Sequence, residues 1–156
     1  MLEFNNLIIR ITSQLERNNF TTQDIQNILF LIDWRAALSE KPSISNLEWE
    51  IGLNGAYSKN LHEKFKQDSK LINLEDGEQI KVNIDQRTDI SPLATWQESV
   101  IYFTISKIKK LKKSDFDNLI KSLFPMKLEK FSPINLTKIA KDYLNSGVSI
   151  EKIKFD

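Results

Sequence analysis

The sequence contains no cysteine and only one histidine, His62, among its 156 residues. Without cysteine the chain can form no disulfide, no zinc–thiolate site and no thiol nucleophile, and this composition fits a reducing compartment. A metal site needs several donor side chains close together, and His62 has only Glu63 as a neighbouring carboxylate. The sequence therefore favours an ordinary imidazole over a metal ligand, and we expect no metal.

Long apolar runs and an excess of one charge are also missing. The first twenty residues have no basic leader, no cleavage site and no apolar run near the roughly 20 residues that span a bilayer. The formal net charge is only +1, which gives no overall field to attract nucleic acid or a membrane. With 40% hydrophobic and 28% charged residues, the composition predicts one globular domain over residues 1–156. The lack of cysteine and of a targeting or membrane segment predicts a cytoplasmic location.

Catalytic motifs are absent as well. A Ser-His-Asp arrangement would have to use His62, and no serine lies on a G-x-S-x-G turn. No glycine-rich phosphate loop occurs, and the carboxylates of Asp115 and Asp117, two residues apart, do not face each other on a helix. We therefore expect a protein that is not an enzyme and that has no cofactor.

Apolar residues recur with helical spacing through most of the chain. Thr21 and Ser114 each precede an acidic residue at capping-box spacing, and Ser58 is a further candidate N-cap. Pro125 is expected to end the fifth helix, and Gly147 the sixth. These signals predict six helices, over about residues 4–15, 21–40, 58–68, 92–108, 114–124 and 135–146.

The spacing of apolar residues changes from helical to alternating between residues 70 and 84. Two short alternating runs flank Asp76-Gly77, which is a strong local signal for a β-hairpin. The predicted fold is mainly α (α+β by count): a compact bundle of about six helices with one small β-hairpin near residues 70–84.

Five lysines between Lys107 and Lys113 form one dense basic run. Together with a helix–turn–helix and a hairpin "wing" over residues 22–84, this run raises the alternative of a nucleic-acid-binding regulator. However, the hairpin carries Glu75, Asp76 and Glu78 where a wing would approach phosphates. The residues therefore favour a solvated helix end, and we do not expect nucleic acid as a partner.

The aromatic residues and Asp33 can be assigned to the core or to a surface from their neighbours in the sequence. Trp34 and Trp96 stand among apolar neighbours on predicted helices, which favours the core. Trp49 and Tyr57 flank a glycine-containing loop, where an aromatic either anchors an interface or plugs the core beneath it. Asp33 interrupts an apolar helix and must have a partner if it is buried, so we predict a hydrogen bond to the loop of residues 42–57.

Several short segments match a family pattern in order along the chain. The helix segment "ILFLID" is followed by "PSIS", a tryptophan, "GAYSKNL", and a C-terminal half with "FDNLIKSLFP" and "LTKIAKDYL". This ordered series, over residues 22–144, resembles the Panacea domain, the family of SocA-type antitoxins and phage-associated relatives. The residues that carry the resemblance are Ile28, Leu29, Phe30, Asp33, Pro42, Ile44, Ser45, Trp49, Gly55, Tyr57, Ser58, Leu61, Phe116, Leu119, Ile120, Pro125, Leu136, Ala140 and Tyr143.

The resemblance implies a non-enzymatic, mainly helical binding module encoded in a bacterium or a phage. Members of the family neutralise a cognate protein toxin by direct contact, and some act as protease adaptors. A phage or mobile-element factor that acts on host defence through the same kind of surface is the alternative. On this basis we expect partner contacts from Trp49, Asn54, Tyr57 and Lys59. Structural roles fall to Asp33, Pro42, Gly55, Ser58 and Pro125.

This chain departs from the family pattern at two places. Where the family commonly has His-Gly-Pro, it has Asn54-Gly55-Ala56. Where a lysine is common near the start of the first motif, it has Gln26 or Asn27. No role of the family histidine or lysine is therefore assigned to this chain.

Overall fold

A computed structural model gives the fold and describes residues 4–66, 72–75, 79–83 and 92–155, with Leu74 and Glu75 described for their backbone only. The described residues contain six α-helices, so the mainly helical prediction is confirmed. The helices are α1 (Phe4–Leu15), α2 (Thr22–Leu38), α3 (Leu61–Lys66), α4 (Thr95–Ile108), α5 (Lys113–Ser122) and α6 (Leu136–Asn145). The strands are β1 (Asn19–Thr21), β2 (Trp49–Gly52), β3 (Gly55–Tyr57), β4 (Ile72–Glu75), β5 (Gln79–Val82) and β6 (Pro133–Ile134).

Helix α2 lies at the centre of the fold and packs against α4, α6, β1 and β3. It begins at the predicted cap, where Thr21 Oγ1 accepts a hydrogen bond from the Asp24 amide at 3.0 Å. Trp34 is buried on this helix, as predicted, whereas Trp96 on α4 is only half-buried at the edge of the core. Because α2 is enclosed on nearly all sides, its polar side chains must find partners inside the protein.

The prediction of a single hairpin is wrong, because the described residues form two three-stranded sheets. Strands β4 and β5 pair where the hairpin was predicted, and β1 adds to the free side of β5. The predicted turn at Asp76-Gly77 lies outside the described residues. The second sheet has the order β3-β2-β6, so its third strand comes from far along the chain.

Three helix starts differ from the predicted ones. Helix α3 begins at Leu61, and the buried Ser58 hydroxyl donates to Asn60 Oδ1 at 2.6 Å and does not cap the helix. Helix α5 begins at Lys113, one residue before the predicted cap Ser114. Helix α4 begins at Thr95, three residues after its predicted start at residue 92.

The predicted helix ends agree better with the structure. Helix α5 ends at Ser122, and Pro125 lies buried in the first turn of a 3-10 helix over Phe124–Lys127. Beyond α6, Gly147 has a φ of +86°, the left-handed conformation expected of a residue that follows a helix. Pro42, which was assigned a structural role, lies exposed in the loop after α2.

No described helix combines the length and the apolar character required to cross a membrane.

Candidate protein-binding surface

The loop between α2 and β2 is organised around the buried carboxylate of Asp33. Its Oδ1 accepts hydrogen bonds from the backbone amides of Ile44 at 2.9 Å and Ser45 at 3.0 Å. Its Oδ2 accepts from the hydroxyls of Ser43, at 3.0 Å, and Ser45, and from Trp49 Nε1 at 2.9 Å. The predicted bond to this loop is confirmed. Five donors occupy both oxygens, so Asp33 holds the scaffold and leaves no lone pair for a substrate.

Trp49 lies in the core, 5% exposed, on the inner face of the second sheet. Its ring packs edge-to-face on Phe30, with 5.2 Å between ring centroids. Alternation along β2 places Trp49 and Ile51 inside and Glu50 outside. Of the two alternatives for this loop aromatic, the structure places it in the core, so Trp49 supports the sheet from below and does not reach its surface.

Strand β3 is held from its other side by amide side chains of α2. The backbone N–H of Ala56 donates to Asn27 Oδ1 at 3.1 Å, and Gln23 Nε2 donates to Ala56 O at 2.9 Å. Just after β3, the N–H of Ser58 donates to Gln26 Oε1 at 3.0 Å. Amide side chains on an otherwise apolar helix indicate that they need hydrogen-bond partners. Nothing in the sequence identified β3 as the partner.

These contacts require a backbone N–H at position 56 and leave no room for a side chain at position 55. Proline at position 56 would have no N–H to donate to Asn27 Oδ1, and alanine supplies that donor. Gly55 is fixed by the same side chain, because a Cβ on Gly55 would lie 2.5 Å from Asn27 Oδ1. The Gly55 backbone also has a φ of +128°, which side-chain-bearing residues rarely adopt.

The outer face of the second sheet carries the remaining predicted contact residues. Tyr57 lies directly opposite Glu50 in the β2–β3 ladder, and Lys59 Nζ lies 3.9 Å from the Glu50 carboxylate. Asn54 lies at the exposed turn between the two strands. Three of the four predicted partner-binding residues, Asn54, Tyr57 and Lys59, are therefore exposed on or beside this face.

The sequence did not point to two large exposed apolar residues beside the same sheet. Leu53, in the β2–β3 turn, is 72% exposed, and Phe131 is 61% exposed. Phe131 reaches this sheet because its N–H donates to Ile51 O at 2.8 Å, with a φ of +65° that no sequence signal predicted. We call these residues together the outer-sheet surface: Glu50, Leu53, Asn54, Tyr57, Lys59 and Phe131.

Nothing in the described part of the chain resembles a metal centre, since no three His, Asp or Glu side chains there come together to hold an ion. His62 is exposed on α3.

Much of the lysine run on and after α4 is neutralised within the fold. Lys107 lies 2.9 Å from the Glu151 carboxylate, and Lys109 lies 3.2 Å from that of Glu16. Lys113 pairs with the buried carboxylate of Asp24 and with Asp117. Burial lowers the pKa of Lys113, but its hydrogen bonds and charge interactions with these two carboxylates outweigh burial and raise the pKa above its ordinary value.

We therefore expect no tight binding to nucleic acid. On heparin or immobilised duplex DNA at low ionic strength, the chain should elute with little retention, because phosphate binding requires several unpaired cations on one face. Retention that falls steeply with added salt would contradict this expectation and would favour the nucleic-acid-binding alternative.

No family model, no curated protein and no solved structure matches this chain. The resemblance to the Panacea domain thus remains a prediction from the residues.

Proposed function

We propose that this chain is a non-enzymatic protein-binding module that acts as an antitoxin, neutralising a cognate toxin by direct contact through the outer-sheet surface. One observation carries the proposal: Leu53, Tyr57 and Phe131 are exposed together around one small sheet. Large aromatic and aliphatic side chains of this kind are the usual anchors of protein interfaces.

The scaffold beneath this surface supports the proposal. Asp33 holds the loop that leads into β2, and Asn27 holds β3 from behind. A surface fixed in this way loses little conformational freedom when a partner binds, so more of the contact energy appears as affinity.

The proposal includes a bacterial or phage origin and a cytoplasmic location. A protease-adaptor role would use the same surface to present the toxin for degradation. A phage or mobile-element factor acting on host defence would use it as well, and the neighbouring genes distinguish these alternatives by what they encode. Co-expression with the adjacent gene product should relieve its toxicity and yield a complex that co-purifies.

The outer-sheet surface can be tested with the double variant Leu53→Ser and Tyr57→Ala. We expect the affinity for the co-purifying partner to fall at least about tenfold, because anchor residues carry most of the binding energy. Titration calorimetry would measure the affinity. The free energy of unfolding should change by less than about 1 kcal/mol, because both side chains are exposed.

Tyr102→Ala on α4 is the matched control, because Tyr102 is also an exposed tyrosine, at 67%, on an element outside the outer-sheet surface. It should leave the affinity unchanged. Equal affinities for the double variant and for the unmodified chain would show that the partner binds elsewhere.

A further inference from the structure

Residues 148–155 follow α6 without forming a helix or strand, and we call them the tail. The tail is contacted by one side chain of α2 and one of α4. Arg35 Nη2, on α2, donates to the Glu151 carbonyl oxygen at 2.6 Å, while Lys107 Nζ, on α4, lies 2.9 Å from the Glu151 carboxylate. At the end of the tail, Lys41 Nζ lies 5.1 Å from the centre of the Phe155 ring.

The two cations that hold Glu151 share one aromatic ring. The Arg35 guanidinium lies 4.7 Å from the Phe103 ring centroid, and Lys107 Nζ lies 5.2 Å from the same centroid. Both are within the range of attraction between a cation and a ring face. Arg35, Phe103 and Lys107 form what we call the cradle, and two positive charges there face the single carboxylate of Glu151.

The tail fills the cradle incompletely. A cavity of about 250 Å³ remains beside it, with a mainly apolar wall that includes Leu31, Trp34, Leu119 and Leu123. Arg35 also lines this cavity, and its buried Nε has no hydrogen-bond partner among the described residues. A buried donor without an acceptor is unfavourable, so a ligand that supplied a second acceptor and an apolar group would satisfy the site better than the tail does.

The tail is also weakly held. None of its residues is fully buried, and only Ile150 and Ile153 pack against the core. The Lys107–Glu151 pair is half-exposed on both sides, and exposed ion pairs contribute at most about 1 kcal/mol. A segment with so few buried contacts can separate from the fold locally at low free-energy cost.

We propose that the cradle and its cavity bind an extended peptide segment of a partner protein in which a carboxylate stands beside apolar residues. In the free chain the tail occupies this site and therefore competes with the partner's peptide for it. The partner's carboxylate would accept from both Nε and Nη2 of Arg35 and face Lys107, while a neighbouring apolar side chain would enter the cavity. Arginine recognises carboxylates in this bidentate manner. This inference does not depend on the antitoxin proposal.

A labelled peptide with the sequence of residues 148–155, VSIEKIKF, tests the proposal by fluorescence polarisation. The full chain should bind the peptide weakly, because its own tail occupies the site. The full-length variant Ile150→Ser with Ile153→Ser should bind at least about tenfold more tightly, because weakening the competing segment raises the fraction of open sites. A peptide with lysine in place of the glutamate should not bind either chain.

Charge variants in the tail-weakened background locate the site. Arg35→Met should weaken peptide binding about tenfold or more, because it removes the charged hydrogen bonds to the peptide. Lys107→Met should weaken it about three- to fivefold, the effect of losing a half-exposed ion pair. Lys110→Met, which changes an exposed lysine just after α4, should leave it unchanged. Thermal melting would show whether each variant is folded. If Arg35→Met is unfolded, the peptide affinity of Lys107→Met, at a half-exposed side chain, decides between the outcomes. The proposal would be overturned if Lys107→Met left the peptide affinity unchanged, or if the peptide did not bind the tail-weakened chain. Neither result would affect the outer-sheet surface, which lies on other elements.

Discussion

Replacing Asp33 with alanine should lower the free energy of unfolding by at least about 3 kcal/mol, because buried hydrogen-bond donors would lose their acceptor. The Trp49 indole N–H and the backbone N–H groups of Ile44 and Ser45 cannot turn toward water without moving the loop. Domains of this size have a total stability of about 5–15 kcal/mol, so the variant should lose roughly a fifth or more of its stability.

Urea denaturation followed by circular dichroism would measure this change. Asp33→Asn should have an intermediate effect, because the amide keeps one acceptor oxygen and places a donor group among donors. Glu129→Ala is the matched control, since Glu129 is an exposed carboxylate in a loop and should change stability by less than about 0.5 kcal/mol. If Asp33→Ala lost no more stability than Glu129→Ala, the Asp33 network would not hold the loop.

Gly55→Ala should give the second large loss of stability, about 2–5 kcal/mol. Two effects add: the backbone at a φ of +128° is strained for alanine, and the new Cβ would lie 2.5 Å from Asn27 Oδ1. Moving the Asn27 side chain away would break its hydrogen bond with the Ala56 N–H. Denaturant unfolding again provides the measurement.

Two controls separate the strain from the clash. Gly147 also has a positive φ, of +86°, but a Cβ there would meet nothing within 4 Å, so Gly147→Ala should lose only about 1 kcal/mol from the backbone. In an Asn27→Ala background the clash at Gly55 disappears, and the additional loss from Gly55→Ala should shrink toward the backbone strain alone. An unchanged loss in that background would show that the side chain of Asn27 is not what excludes alanine.

The sequence predicted those parts of the fold that depend on residues close together in the chain. The period of apolar residues located α1, α2 and α6, and Thr21 marked the start of α2. The role of Asp33 followed from an equally simple rule, because a carboxylate on an apolar helix needs hydrogen bonds wherever it is buried.

The second sheet could not be predicted in the same way. Strand β6 has two residues, Pro133 and Ile134, and its pairing with β2 depends on contacts between distant parts of the chain. The alternation of Trp49, Glu50 and Ile51 before an Asn-Gly pair was the available signal for the β2–β3 hairpin. Nothing local placed Phe131 beside this sheet, so the outer-sheet surface was only partly predictable.

The amide side chains behind β3 have a consequence for aggregation. The edge of a sheet normally exposes backbone N–H and C=O groups to which a strand of another molecule can add. Here both backbone groups of Ala56 are already bonded to Asn27 and Gln23, and at the opposite edge Pro133 has no N–H to offer. The sheet is thus protected against growing by strand addition, and a partner on its outer face would have to be recognised through side chains, which depend on sequence in a way that backbone pairing does not.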